Sequence, residues 1–150
     1  MAPSAPSRDQ LLQTLAAIEE SQAVIEFDPD GNILRANQNF LDVSGYGSDE
    51  LKGSHHRLFV SADYAASQEY RAFWQSLRDG QSQSGEFCRY AKNGSVFWIQ
   101  ASYNPVVDGE GHVTRIIKVA TDITQQKALD LDYSGQITAI NASQAVIQFD

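Results

Sequence analysis

Hydrophobic and polar residues alternate along the stretch from Gly85 to Thr124, where Val, Ile, Phe, Trp and Tyr are concentrated. Two turn signals, Lys92–Gly94 and Asp108–His112, divide this stretch into three parts. An Asn-Gly pair tolerates the positive φ of a tight hairpin turn, and the flanking residues are good strand formers. The pattern therefore predicts three consecutive antiparallel strands.

Two further strands are predicted near the start of the chain, on either side of the turn signal Asp28–Gly31. Before them, apolar residues recur at helical spacing between Arg8 and Glu20 and predict a short amphipathic helix. A helix of this length is marginally stable alone. We therefore expect it to pack on the sheet of its own chain or on a second copy of itself.

Between the two groups of strands, glycines that end helices and serines that cap them predict three helices. A first short helix ends at Gly45, a second runs from a cap at Ser48 to Gly53, and a longer one runs from a cap at Ser61 to Gly80. The order of elements predicts an α+β domain. Its five-stranded antiparallel sheet carries short helices on one face and flanking helices at both ends.

Composition narrows the function classes. The chain of 150 residues has a net charge of -8 and no basic stripe, which argues against nucleic acid and anionic membranes as partners. Because no apolar run is long enough to span a bilayer and no signal-peptide pattern is found, we expect a cytoplasmic protein. The single cysteine, Cys88, excludes an internal disulfide. Catalytic motifs are also lacking, so we do not expect an enzyme.

The last residues repeat an earlier segment: residues 139–150 match residues 17–28 at nine of twelve positions. The offset of 122 residues is too long for a solenoid and indicates tandem domains. The predicted organisation is a disordered tail (1–7), an N-terminal helix (8–20), a globular domain (21–124), a linker helix (125–142) and the first strand of a second copy (143–150).

Two long segments resemble the PAS domain, a small sensory module. They are "DPDGNILRANQNFLDVSGYGSDELKG" and "FCRYAKNGSVFWIQASYNPVVDGEGHVTRIIKVATDIT". Within that family, "KGSHHRLFV", "EYRAFWQSLRDG" and "WIQASYNP" are similar to methyl-accepting chemotaxis proteins and to the flavin-binding domain of aerotaxis transducers. The resemblance implies the PAS fold. It also implies a cytoplasmic sensor of a chemotaxis or biofilm-dispersion transducer, with a second PAS domain and a chemotaxis signalling domain downstream.

The resemblance implies a ligand pocket but leaves its occupant open: FAD, haem b or no prosthetic group. His55 and His56 fall at the usual mouth of a PAS pocket, and only one of two adjacent side chains can face it. That histidine could be an axial ligand of haem iron. Together with Arg57, the pair could instead contact a flavin pyrophosphate. The plainer alternative is two partly exposed polar residues on a connector.

Four further residues are candidates for the pocket wall. Trp74 and Trp98 are large enough to stack on an isoalloxazine ring, although the helical spacing of Trp74 with other aromatic residues favours a core role. Asn37 could hydrogen-bond a ring edge, but its position favours capping of the following helix. Asn104, which precedes Pro105, is the fourth candidate for cofactor binding; alternatively it holds the strand end or belongs to a plain turn.

The exit from the last strand is the second predicted site. In PAS domains a matching Asp-x-Thr pair ties the sheet to the outgoing helix, so the resemblance implies that Asp122 and Thr124 relay the signal. The plainer alternative is that the pair caps the helix without a signalling role. Cys88 lies in a predicted strand, away from the helices that carry the adduct-forming cysteine of light sensors, and is expected to be a small apolar filler.

Two functions from different classes remain open. In the first, the module binds a small ligand or a redox cofactor and relays its state through the flanking helices. In the second, it is a ligand-free dimerisation or protein-interaction module of a sensor kinase or cyclic-nucleotide signalling protein. A homodimer is expected in either case.

Overall fold

The computed structural model describes residues 4–137, with side chains through Asp130. Its five strands form one antiparallel sheet in the order β2-β1-β5-β4-β3, which confirms the predicted α+β fold. The second-copy strand predicted at 143–150 lies outside the described residues. In chain order the elements are α1 (Arg8–Ser21), β1 (Ala23–Phe27), β2 (Ile33–Ala36), α2 (Gln38–Ser44), α3 (Ser48–Leu51), a 3₁₀ turn (His56–Phe59), α4 (Ala62–Ala65), α5 (Gln68–Arg78), β3 (Gln83–Tyr90), β4 (Val96–Val107), β5 (Val113–Asp122) and α6 (Thr124–Ile137).

Local capping explains the short helices. Helix α2 ends at Gly45 in the left-handed conformation, as predicted. The N-cap of α3 is Gly47, so the prediction of Ser48 was one residue off. The predicted long helix after Ser61 is divided into α4 and α5. The division occurs because the Ser67 hydroxyl accepts from the backbone N–H of Tyr70 at 3.1 Å and begins a new helix there.

The core lies between the sheet and helices α2 to α5. The inner face of the sheet and the helices contribute side chains that are almost fully buried, and aromatic rings are concentrated among them. The largest apolar members are Phe27, Phe40, Phe59, Tyr70, Trp74, Leu77, Phe97, Ile99, Tyr103 and Ile116.

Helix α1 stands apart from this core. None of its residues is buried, and Leu11, Leu12 and Leu15 are each more than half exposed. It is held at its C-terminal end, where the Asn37 side chain donates to the carbonyl oxygens of Glu19 at 3.0 Å and of Gln22 at 2.9 Å. The apolar face of α1 is therefore not covered by the described part of its own chain.

Among the described residues, no helix combines the length and apolarity that a membrane crossing requires.

The outer face of the sheet carries a buried ion cluster. Glu26 on β1 is only 7% exposed, and its carboxylate accepts from Arg35 on β2 and from Arg115 on β5, the latter at 2.7 Å. Arg35 also pairs with Glu19 of α1. The cluster thus joins three strands of the sheet to the end of α1.

Candidate functional site

His56 is the centre of the core. It is fully buried, and its ring lies 5.3–5.9 Å from the centroids of five aromatic rings, which are those of Phe27, Phe59, Tyr70, Trp74 and Tyr103. Both ring nitrogens are hydrogen-bonded: Nδ1 lies 2.7 Å from the hydroxyl oxygen of Tyr70, and Nε2 lies 2.9 Å from that of Tyr103. One histidine therefore links helix α5 to strand β4.

His55 has a different role. Its Nε2 donates to the backbone carbonyl of Asp30 at 2.7 Å, and its Nδ1 accepts from the backbone N–H of Arg57 at 3.0 Å. A neutral imidazole has one donor and one acceptor, so these two bonds use both. His55 thus fastens the β1–β2 turn to the 3₁₀ turn, and the Arg57 side chain is exposed nearby.

Two buried cations face Tyr103. Arg89 on β3 and Lys118 on β5 are each 1% exposed. Arg89 Nη2 donates to the Tyr103 hydroxyl oxygen at 3.3 Å, and Lys118 Nζ lies 4.7 Å from the Tyr103 ring centroid. We call His56, Tyr70, Arg89, Tyr103 and Lys118 the core network.

The network perturbs the ionisation of its members. The pKa of His56 lies well below its usual value, chiefly because burial penalises the charged ring and then because Arg89 and Lys118 repel it. Burial alone raises the pKa of the Tyr103 hydroxyl, but the two cations favour its ionised form and bring the net pKa below the usual value. Burial also raises the pKa of Tyr70. His56 is therefore neutral at physiological pH.

The opposite face of β4 carries a second constellation. The backbone N–H of Trp98 donates to Thr124 Oγ1 at 2.9 Å, and the backbone N–H of Thr124 donates to the Asp122 carboxylate at 2.9 Å. Lys127 on α6 lies 5.1 Å from the Trp98 ring centroid and pairs with Glu86 of β3 at 2.6 Å. We call Trp98, Asp122, Thr124 and Lys127 the exit clasp, because it fixes the start of α6 on the sheet.

The structure thus separates the residues predicted to line one pocket. His56 and Trp74 lie on the inner face, whereas Trp98 and Asn104 lie on the outer face, where Asn104 donates to the carbonyl of Ile117 at 3.1 Å. Asn37 accepts from the backbone N–H groups of Val24 and Phe40, so both atoms of its amide are used in capping and tying α1. These side chains do not converge on one ligand.

Sequence reasoning missed most of the core network. The sequence places Tyr70 only among the aromatic residues at helical spacing with Trp74, which favours a core role, and it does not single out Tyr103, Arg89 or Lys118. One signal was present: residues alternate between faces along a strand, so Arg89 and Lys118 occupy inward positions where apolar side chains are expected. A cation at an inward position of a strand indicates a buried polar site.

Comparison with known proteins places the fold in a family. The sequence profile described as the PAS fold matches residues 33–120, more than half of the chain. This chain belongs to the PAS family. The predicted resemblance is confirmed, and the sheet order and the short helices on one face are those of a PAS domain.

The PAS chain is similar to parts of longer proteins. It is 42% identical to the biofilm dispersion protein BdlA of Pseudomonas aeruginosa over 91% of its length, and it covers 33% of that protein. It is 30% identical to the aerotaxis receptor of Escherichia coli over 63% of its length, and it covers 18% of that receptor. The chain therefore spans about a third or less of these relatives.

Solved structures agree on the fold. An RNA-binding light-oxygen-voltage receptor superposes with a TM-score of 0.67 at 24% identity, covering 84% of this chain and 37% of that one. A light-oxygen-voltage domain studied with a flavin analogue superposes with a TM-score of 0.63 at 27% identity, covering 84% and 93%.

The residues present do not suit a haem. Each nitrogen of His55 and His56 is already hydrogen-bonded, and His56 is enclosed by rings, so neither histidine offers a lone pair to iron. Among the described residues, no group of three His, Cys, Asp or Glu side chains has the geometry to hold a metal ion.

They also do not suit a flavin. The residues predicted to contact it lie on both faces of the sheet, and the interior around His56 is filled by aromatic rings. A surface cleft beside Trp74 and His55 has a volume of about 180 Å³, below the roughly 300 Å³ at which pockets for drug-sized ligands begin.

Proposed function

We propose that this PAS domain is the cytoplasmic sensory module of a chemotaxis or biofilm-dispersion transducer. A change at the core network would pass through β4 to the exit clasp and so to α6. The observation that carries the proposal is the position of both sites on β4. Tyr103 belongs to the network on the inner face, and Trp98 belongs to the clasp on the outer face. The similarity to BdlA and to the aerotaxis receptor supports the choice of transducer class.

The relay is tested with Tyr103→Phe, which removes the hydroxyl that joins His56 to Arg89 but keeps the ring. We expect faster hydrogen exchange at the first amides of α6. These amides are tied to the outer face of β4, whereas the Tyr103 hydroxyl lies on the inner face. Tyr90→Phe, at an exposed position of the neighbouring strand, is the matched control. The relay is refuted if the free energy of exchange at the α6 amides falls only by as much as the global free energy of unfolding.

The ligand of the module is proposed to be smaller than FAD or haem b, since the described side chains converge on neither. A flavin is the alternative, suggested by the similar light-oxygen-voltage domain that was studied with a flavin analogue. The test is an absorbance spectrum from about 300 to 700 nm, recorded before and after incubation with FAD or haem. We expect no bound-cofactor band after desalting. A retained band would show that the core opens, and it would overturn this assignment.

A homodimer is the second proposal, and the exposed leucines of α1 favour it. An amphipathic helix with no buried residue gains stability by pairing its apolar face with a second copy. Deleting residues 1–20 should convert a dimer to a folded monomer in analytical ultracentrifugation. A dimer that persists after the deletion would contradict this role for α1.

Signalling domains beyond this chain are likewise proposed from the greater length of the relatives.

A further inference from the structure

The direction of the hydrogen bonds in the core network can be assigned from its cations. Arginine and lysine side chains only donate hydrogen bonds. Arg89 donates to the Tyr103 oxygen at 3.3 Å, and Lys118 Nζ lies 4.7 Å from the Tyr103 ring centroid. Neither cation can accept the hydrogen of the Tyr103 hydroxyl, so we assign that hydrogen to His56 Nε2, which lies 2.9 Å from the hydroxyl oxygen.

This assignment fixes the tautomer of His56. A neutral imidazole that accepts at Nε2 carries its hydrogen on Nδ1. His56 Nδ1 therefore donates to the hydroxyl oxygen of Tyr70 at 2.7 Å. Tyr70 thus accepts a hydrogen bond from His56, and its own hydroxyl hydrogen points away from the His56 ring.

Tyr70 also lines a surface cleft of about 180 Å³ between the β1–β2 turn and helices α4 and α5. The cleft is rich in donors. Two guanidinium groups, those of Arg71 and Arg78, line it together with Trp74, whose indole N–H makes no hydrogen bond of normal geometry to the described residues. Asp30 is the one carboxylate in the lining, and its backbone carbonyl is already bonded to His55.

We propose that this cleft binds a small oxyanion, a carboxylate or phosphate, which accepts a hydrogen bond from the Tyr70 hydroxyl. The guanidinium groups of Arg71 and Arg78 supply the charge, because a planar fork of donors matches an oxyanion. The volume limits the ligand to a few heavy atoms. The inference rests on the proposed sensory role, and it gives that role an input: the ligand meets Tyr70, and Tyr70 meets His56.

The binding test uses the cleft's own tryptophan. The chain has two tryptophans, so Trp98→Phe leaves Trp74 as the single indole fluorophore. In that background the protein is titrated separately with acetate, succinate and inorganic phosphate, at constant ionic strength. We expect a saturable change in Trp74 emission with at least one of them. A response that is linear or absent with all three up to about 50 mM would overturn the proposal.

Variants then locate the site. Tyr70→Phe should weaken binding about tenfold or more, since a hydrogen bond to a charged group contributes about 1.5–3 kcal/mol. Arg78→Gln should weaken it similarly, and Arg8→Gln on the exposed helix α1 is the matched control. Equal affinities in the Trp98→Phe protein with and without Tyr70→Phe would refute the role of Tyr70. Circular dichroism establishes that each variant is folded.

A second measurement does not depend on binding. The ¹⁵N chemical shifts of His56 should be those of the Nδ1–H tautomer, and Tyr103→Phe should move them by removing the donor to Nε2. An Nε2–H tautomer in the native protein would refute the assigned hydrogen-bond direction. Anion binding without any change in the exchange of α6 amides would refute the proposed relay and leave the anion site standing.

Discussion

The two faces of strand β4 differ in what they contact, although they alternate residue by residue. The inner face presents Phe97, Ile99 and Tyr103 to a core of aromatic rings around His56. The outer face presents Trp98 to the start of α6, with a polar surface beside it. The comparison shows that two groups of side chains with different surroundings share one backbone. No long pathway between them is then required.

The largest expected effect comes from removing the centre of the inner face. His56→Ala deletes a ring with five aromatic neighbours and leaves two tyrosine hydroxyls without their partner. We expect a loss of about 3 kcal/mol in the free energy of unfolding, measured in urea. His112→Ala, at an exposed turn, should change it by less than about 0.5 kcal/mol. Equal losses would contradict the central role of His56.

A second prediction concerns the turn that supports His55. Gly31 has φ +92°, and a Cβ placed there would lie 2.7 Å from His55 Nε2, so Gly31→Ala should cost about 2 kcal/mol. Gly53→Ala is the matched control: φ is +85° but the space is open, so about 1 kcal/mol is expected. Thermal unfolding compares them. Equal destabilisation by the two substitutions would mean that the close contact of the new Cβ with His55 does not destabilise the fold.

A third prediction follows from the lowered pKa of His56. The unfolded ring takes up a proton near pH 6.5, whereas the folded ring resists it, so the unfolded state binds more protons below that pH. Stability should therefore fall as the pH drops below about 6.5, by up to about 1.4 kcal/mol per pH unit from this group. The measurement is urea unfolding at several pH values, with His56→Gln as the reference. Parallel profiles for the two proteins would contradict the prediction.

The smallest expected effect lies on the outer face. Thr124→Val removes the hydroxyl that accepts from the backbone N–H of Trp98 and should cost about 1 kcal/mol. Hydrogen exchange should accelerate at the first turn of α6 but not in the inner strands. Thr14→Val, on the exposed helix α1, is the control. Acceleration throughout the sheet would mean that the two faces are not separable.

Much of the fold could be predicted from local patterns. Alternation and turn residues located the five strands, and Gly45 and Asn37 located the ends of α2, because these signals act over a few residues. The break at Ser67 was missed, since a serine within a helical pattern is read equally well as an interior residue or as a cap.

The candidate site was harder to predict because it is assembled from distant segments. His56 and Tyr103 are separated by 47 positions, and their contact depends on how the helices pack on the sheet. Because side chains alternate between the two faces of a strand, the sequence implies that Trp98 and its neighbours face opposite ways. It could not say which face the helices cover, and so Trp98 was assigned to the pocket rather than to α6.

The pairing of β4 limits how this strand can change in evolution. From Val96 to Val106 it runs without a register shift, and the first irregularity lies between Val106 and Val107. Because side chains alternate with a period of two, inserting or deleting one residue between Trp98 and Tyr103 would place both side chains on the same face of the sheet. We therefore expect homologues to keep the spacing between these two positions of β4, with insertions confined to the hairpin ends.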